Sequence, residues 1–104
     1  MNLSPMEAIA RVNESVVVEM TVQRTKCCSG SRQVFLDSEP NHRDPNNLGV
    51  IITESARPKF AGAGIDDPAA YFGAKKVRVR GVVIRKENRP YIEVNEPSEI
   101  EIVK

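Results

Sequence analysis

AKKVRVRGVVIRKENRPYIEVNEPSEIEIV, residues 74–103, alternates with a period of two. Lys75, Val77, Val79, Gly81 and Val83 fall on one side. Lys76, Arg78, Arg80, Val82 and Ile84 fall on the other. That period describes a half-buried strand and not a helix. Lys86-Glu87-Asn88-Arg89 reads as the turn that follows, because Asn88 tolerates a positive φ. Tyr91 to Asn95 is the returning strand, with Ile92 and Val94 inward and Tyr91 outward. Pro97 breaks the ladder. Residues 99–103 form a last short strand with Ile100 and Ile102 on one side.

Upstream, residues 15–24 (SVVVEMTVQR) alternate in the same way, with Val16, Val18, Met20 and Val22 as the core-facing set. A strand this long is expected to bend and serve two sheets. Residues 25–32 (TKCCSGSR) read as a turn with Gly30 in the left-handed conformation. Residues 33–37 (QVFLD) form a second strand, a hairpin partner of the first. Residues 38–47 (SEPNHRDPNN) hold no hydrophobic residue and two prolines, and read as a surface loop. Residues 48–53 (LGVIIT) form a short third strand.

Residues 54–73 carry no strand pattern. A helical turn is expected from Ser55, interrupted by Gly62 and Gly64. A better helix follows, capped by Asp67, begun by Pro68 and ended by Gly73, with Tyr71 or Phe72 packed on the core. At the N-terminus, Ser4, Pro5 and Glu7 make a capping box with proline in the first helical position. Met6, Ile9 and Ala10 form the apolar stripe of a short plug helix.

The chain has 104 residues, which is room for one domain spanning 1–104. Fifteen Lys and Arg against fourteen Asp and Glu give a net charge of +1, so bulk basicity does not argue for nucleic acid. The distribution is more informative. Arg24, Lys26, Arg32, Arg78, Arg80, Arg85, Lys86 and Arg89 lie near strand ends and turns, and Glu93, Glu96, Glu99 and Glu101 load the C-terminal end with acid. No run reaches the roughly 18 apolar residues of a membrane span. The first residues, MNLSPMEAIARVNES, lack the basic and apolar segments of a signal peptide, so a cytoplasmic location is expected. Cys27 and Cys28 are adjacent and do not staple a fold, which fits a reducing compartment.

Three strands, a helical insertion and two or three further strands are the plan of an all-β, five- to six-stranded Greek-key barrel of the oligonucleotide/oligosaccharide-binding (OB) type, with a short N-terminal helix and a helix between strands three and four. A different six-stranded barrel and a sandwich are the rivals. Gly81 suits the tight bend a small barrel needs. Residues 73–83 (GAKKVRVRGVV), followed by 89–100 (RPYIEVNEPSEI), resemble the C-terminal half of OB-fold domains related to the anticodon-binding type. In those domains a G-K-x-V-x-V-x-G strand precedes a turn and an I-x-V-x-D/N-P-S-x-I ending. Val34-Phe35-Leu36-Asp37 resembles the same group more loosely, and small stand-alone bacterial members are the nearest in character. The resemblance implies nucleic-acid binding. Its motifs mark strand, turn and closure, and none is catalytic.

The expected function is a small module that binds single-stranded nucleic acid without strong sequence preference. The candidate residues are Arg24, Lys26, Arg32, Arg78, Arg80 and Arg85 for phosphates, and Phe35 and Tyr91 for stacking. Strand three, LGVIIT, has no aromatic residue, and the side on which Phe35 emerges is open. A bland reading competes: Arg78 and Arg80 keeping an exposed barrel side soluble, or pairing across strands with Glu93 and Glu19. So does a protein-interaction or homo-oligomerisation domain without a nucleic-acid ligand. Cys27, Cys28 and His42, with Asp37 or Asp44, lack metal-ligand spacing, so no metal or other cofactor is expected. Asp37, Asp44, Asp66 and Asp67 are too scattered for a nuclease, and no enzymatic activity is expected.

Overall fold

The computed structural model describes residues 2–27, 33–41, 43–86 and 88–103. Helix α1 (Pro5–Ile9) has the full capping box: Ser4 Oγ accepts from the Glu7 amide and the Glu7 carboxylate accepts from the Ser4 amide. Its core contact differs in part from the expected stripe. Ile9 packs against the core as expected, but Ala8, near Leu3 in the core, is the fully buried residue and Met6 is exposed.

The long first strand is two. β1 (Ser15–Thr21) pairs with β5 (Lys76–Lys86), and β2 (Arg24–Cys27) pairs with β3 (Val34–Asp37). Val22 and Gln23 form the corner, where the Val22 amide donates to Lys75 and the Gln23 amide to Asp37. The expected bend is therefore present. The start of the expected turn, Thr25 to Cys27, is strand; Gly30 lies outside the described residues. β4 (Gly49–Ile52) pairs with β3 and runs parallel to β6 (Arg89–Val94); β7 (Ile100–Ile102) pairs with β5. The ladder order is β1-β5-β6-β4-β3-β2. No described ladder joins β2 back to β1, and the hydrogen-bonded ring is not closed; the covalent corner at Val22 and Gln23 links the two ends of the path.

Val16, Val18, Met20 and Val22, then Val77, Val79 and Val83, then Ile92 and Val94 are buried as alternation predicts, whereas Lys75, Gly81 and Ile102 on the same sides are not fully covered. Gly81 lies where β5 exchanges β1 for β6 as partner. A Cβ there would meet Ile92 Cγ2 at 2.7 Å, so the glycine admits a core side chain against the bend. Between β4 and β5 the chain forms a 3-10 turn (Glu54–Ala56), α2 (Arg57–Gly62) and α3 (Pro68–Phe72). Asp67 caps α3 through the Ala70 amide. Phe60 and Phe72 fill the core edge to face, with centroids 6.3 Å apart, while Tyr71 is exposed. The left-handed residue after α3 is Ala74 (φ 63°) and not Gly73; Gly73 is instead the close-approach position, where a Cβ would lie 3.0 Å from the Ala69 carbonyl oxygen. Asn88 takes the expected positive φ, 65°. Among the described residues no helix is long and apolar enough to cross a membrane.

Candidate functional site

Strand alternation that buries Val34 and Leu36 sends Phe35 outward, and burial of Ile92 and Val94 does the same for Tyr91. Register then brings them together. Phe35 lies opposite Ile51, Ile51 opposite Glu93, and Gly49 opposite Tyr91. The two rings meet edge to face on the outer side of the β3-β4-β6 sheet, with centroids 6.3 Å apart and planes at 63°. Gly49 makes this possible. A Cβ on it would fall 2.4 Å from a ring carbon of Tyr91, so the tyrosine lies across the bare backbone of β4. Ile51 faces the same way and lies outside the core cluster, yet it is 1% exposed. The outer face is thus a small packed apolar layer. Lys26 stands beside Phe35 in register, exposed, with no ion pair among the described residues.

A polar cluster underlies one edge of this layer. Asp37 is 2% exposed; its Oδ2 accepts from Arg24 Nη1 at 3.1 Å and its Oδ1 from Asn47 Nδ2 at 3.2 Å. Asn47 Oδ1 in turn accepts from the Glu39 amide at 3.0 Å, and Ser38 Oγ accepts from the Leu48 amide at 2.9 Å. The ends of the 38–47 loop are therefore buried and tied, though its middle is at the surface. Arg24 is the register partner of Asp37 and is committed to neutralising it. A buried carboxylate without that partner would be costly.

Arg78 and Arg80 emerge elsewhere, on the outer side of the β1-β5-β7 sheet. Glu19, Arg78 and Glu101 form one cross-strand row. Arg78 donates from Nε and Nη2 to Glu19 Oε2 at 3.3 and 3.2 Å, and from Nη1 to Glu101 Oε1 at 3.0 Å. Its hydrogen bonds to Glu101 and then to Glu19 raise its pKa. Glu19 also accepts from the Asn2 amide group, and that bond, with those from Arg78, holds its carboxyl below the ordinary 4.5. Arg80 donates to the Ser98 carbonyl at 3.3 Å and borders a cleft of about 460 Å³ whose wall includes Val82, Ile84 and Glu93. The pairing of Arg78 with Glu19 is as the bland reading has it. Glu93 pairs with Lys86 instead, at 3.7 Å.

Arg85 and Arg89 stand at the β5-β6 hairpin, where they line a cleft of about 440 Å³ with Arg43 of the β3-β4 loop. Arg32 and His42 lie outside the described residues. The structure thus gathers Lys26, Phe35 and Tyr91 on one face, with Arg85 at its hairpin end. It leaves Arg78 in an ion-paired row on another. Sequence reasoning missed Gly49, Ile51 and Arg43. A glycine inside an apolar strand was the available signal for the first; the other two depend on register and loop folding.

No protein-family model and no curated protein matches the sequence. Solved structures do match in fold. A putative aspartyl-tRNA synthetase from Leishmania major Friedlin superposes with a TM-score of 0.64 at 14% identity, over 100% of this chain and 21% of that one. Asparaginyl-tRNA synthetase from Pyrococcus horikoshii gives 0.65 at 16% identity, over 98% and 23%. An OBody, AM1L10, bound to hen egg-white lysozyme gives 0.64 at 17%, over 98% and 92%. The chain spans about a fifth of the length of the two synthetases. At these identities the likeness is one of fold, and the fold is OB-like.

Proposed function

We propose that the chain is a binding module, not an enzyme, that takes single-stranded nucleic acid across the outer face of β3, β4 and β6. Bases lie against Phe35 and Tyr91. Phosphates pass Lys26 on one flank and the hairpin arginines on the other. The observation that carries this reading is the juxtaposition of the two rings over Gly49 on an outer face. OB folds bind single strands by aromatic platforms on such a face, flanked by basic groups. Likeness to synthetases that act on tRNA, and to anticodon-binding OB domains, points the same way.

Fluorescence anisotropy with a labelled single strand at two salt concentrations tests it. Phe35→Ala and Tyr91→Ala should each weaken binding by about 1–3 kcal/mol. With roughly three phosphates contacted, log K should fall with a slope of about −2 against log salt. Arg78→Ala should leave affinity within about twofold, since an exposed, already paired side chain has little left to offer a phosphate. Absence of binding at low salt would refute the reading. A second reading, a protein-binding surface, is favoured by one observation: Val82, beside the Ile84 cleft, is 46% exposed. The likeness to an OBody bound to lysozyme is in keeping with it.

A further inference from the structure

The cleft between the β3-β4 loop, the β5-β6 hairpin and α1 has no part in base stacking, and its lining is distinctive. Arg43, Arg85 and Arg89 face it together with one carboxylate, Asp44; Ile9 and Pro90 supply apolar wall. Among the described residues, guanidiniums outnumber carboxylates in this lining. Asp44 Oδ1 is turned back to accept from the Asn46 amide at 2.8 Å. Arg43 and Arg85 have no acidic partner among the described residues, whereas Arg24 and Arg78 on the strands are both paired. The walls are built and not merely adjacent. The Arg43 amide donates to Asn41 Oδ1 at 2.9 Å, Asn47 anchors the loop base on Asp37, and Asn88 at φ 65° tightens the hairpin. Arg89 and Tyr91 alternate on one side of β6, so their Cα atoms lie about 7 Å apart and the cleft adjoins the aromatic pair.

We propose that this cleft binds a phosphomonoester, namely the terminal phosphate of a strand whose bases lie on Phe35 and Tyr91. A phosphomonoester carries about −1.5 to −2 at neutral pH, against about −1 for an internal phosphodiester, and so is drawn more strongly to Arg43 and Arg85. Guanidinium forks suit its oxygens. The strand's position rests on the proposed function; the anion site does not.

The test uses single strands of about ten nucleotides, within the span of one OB fold, with no terminal phosphate, a 5′-phosphate or a 3′-phosphate. One phosphorylated form should bind about ten-fold tighter than the unmodified strand. Arg43→Ala/Arg85→Ala, two exposed positions whose loss leaves the core intact, should abolish that gain. Phe35→Ala should weaken all three strands alike. Equal affinity for the three strands would overturn the cleft proposal and leave the aromatic face standing. If no strand binds, the proposed function falls and the cleft is judged with adenosine 5′- and 3′-monophosphate. Amide NMR shifts at residues 43–47 and 85–90 that vanish in the double variant would sustain the anion site, and their absence would overturn it.

Discussion

The outer side of the β3-β4-β6 sheet and the outer side of the β1-β5-β7 sheet are made by the same rule and used in opposite ways. Both follow from strict alternation over a shared core. On β1-β5-β7, Arg78 meets a carboxylate in register on either side, and the row Glu19–Arg78–Glu101 is balanced by Lys76, 3.7 Å from Glu19, while Arg80 lies opposite Val17 and donates to the Ser98 carbonyl. On β3-β4-β6, register sets Phe35 and Tyr91 beside Gly49 and Ile51, and leaves Lys26 without an acidic partner among the described residues. The lesson concerns arginine. Its presence on an outward strand position says little about a ligand until its cross-strand neighbour is known.

The contrast can be broken at its supports. Asp37→Ala should have the largest effect, about 3 kcal/mol of stability, because it strips Arg24 and the Asn47 amide of their acceptor beneath the aromatic face. Urea denaturation measures it, with Arg24 at one-third exposure limiting the loss. Gly49→Ala should cost about 2 kcal/mol by overpacking. It should also push Tyr91 off β4, so oligonucleotide affinity should fall together with stability. Retained affinity in that variant would separate the ligand site from the tyrosine. The smallest effect belongs to the ion-paired face. The Glu19 carboxyl titrates below 4.5 in the folded protein, so its contribution is full above the unfolded value and is lost as pH falls through the lower folded value. Melting temperature should therefore decline as pH falls from about 4.5 through the lower folded value, and Glu19→Gln should decline less steeply.

Alternation made most of this fold legible. Val77, Val79, Ile92 and Val94 were placed inward by period alone, Asp67 and Ser4 by capping chemistry, and Asn88 by its tolerance of positive φ. The corner at Val22 and Gln23 was legible only as excess length, because both halves alternate in the same phase. The site was less accessible. That Phe35 points outward follows from Val34 and Leu36, but a four-residue strand has no phase of its own until the core selects one. The partners of Arg24 and Arg78 lie 13, 59 and 23 residues away in sequence, where only register brings them within reach. Arg43 sits in a loop whose polar composition conceals that its ends are buried.

The central claim is that the ligand surface is the aromatic face and not the arginine row. Backbone amide NMR during titration with a single-stranded oligonucleotide tests it most directly. Shifts should concentrate in residues 24–26, 34–37, 49–52 and 84–93, and spare residues 16–20, 76–79 and 100–102. Shifts centred on Arg78 and its strand neighbours, with Phe35 and Tyr91 unmoved, would contradict it.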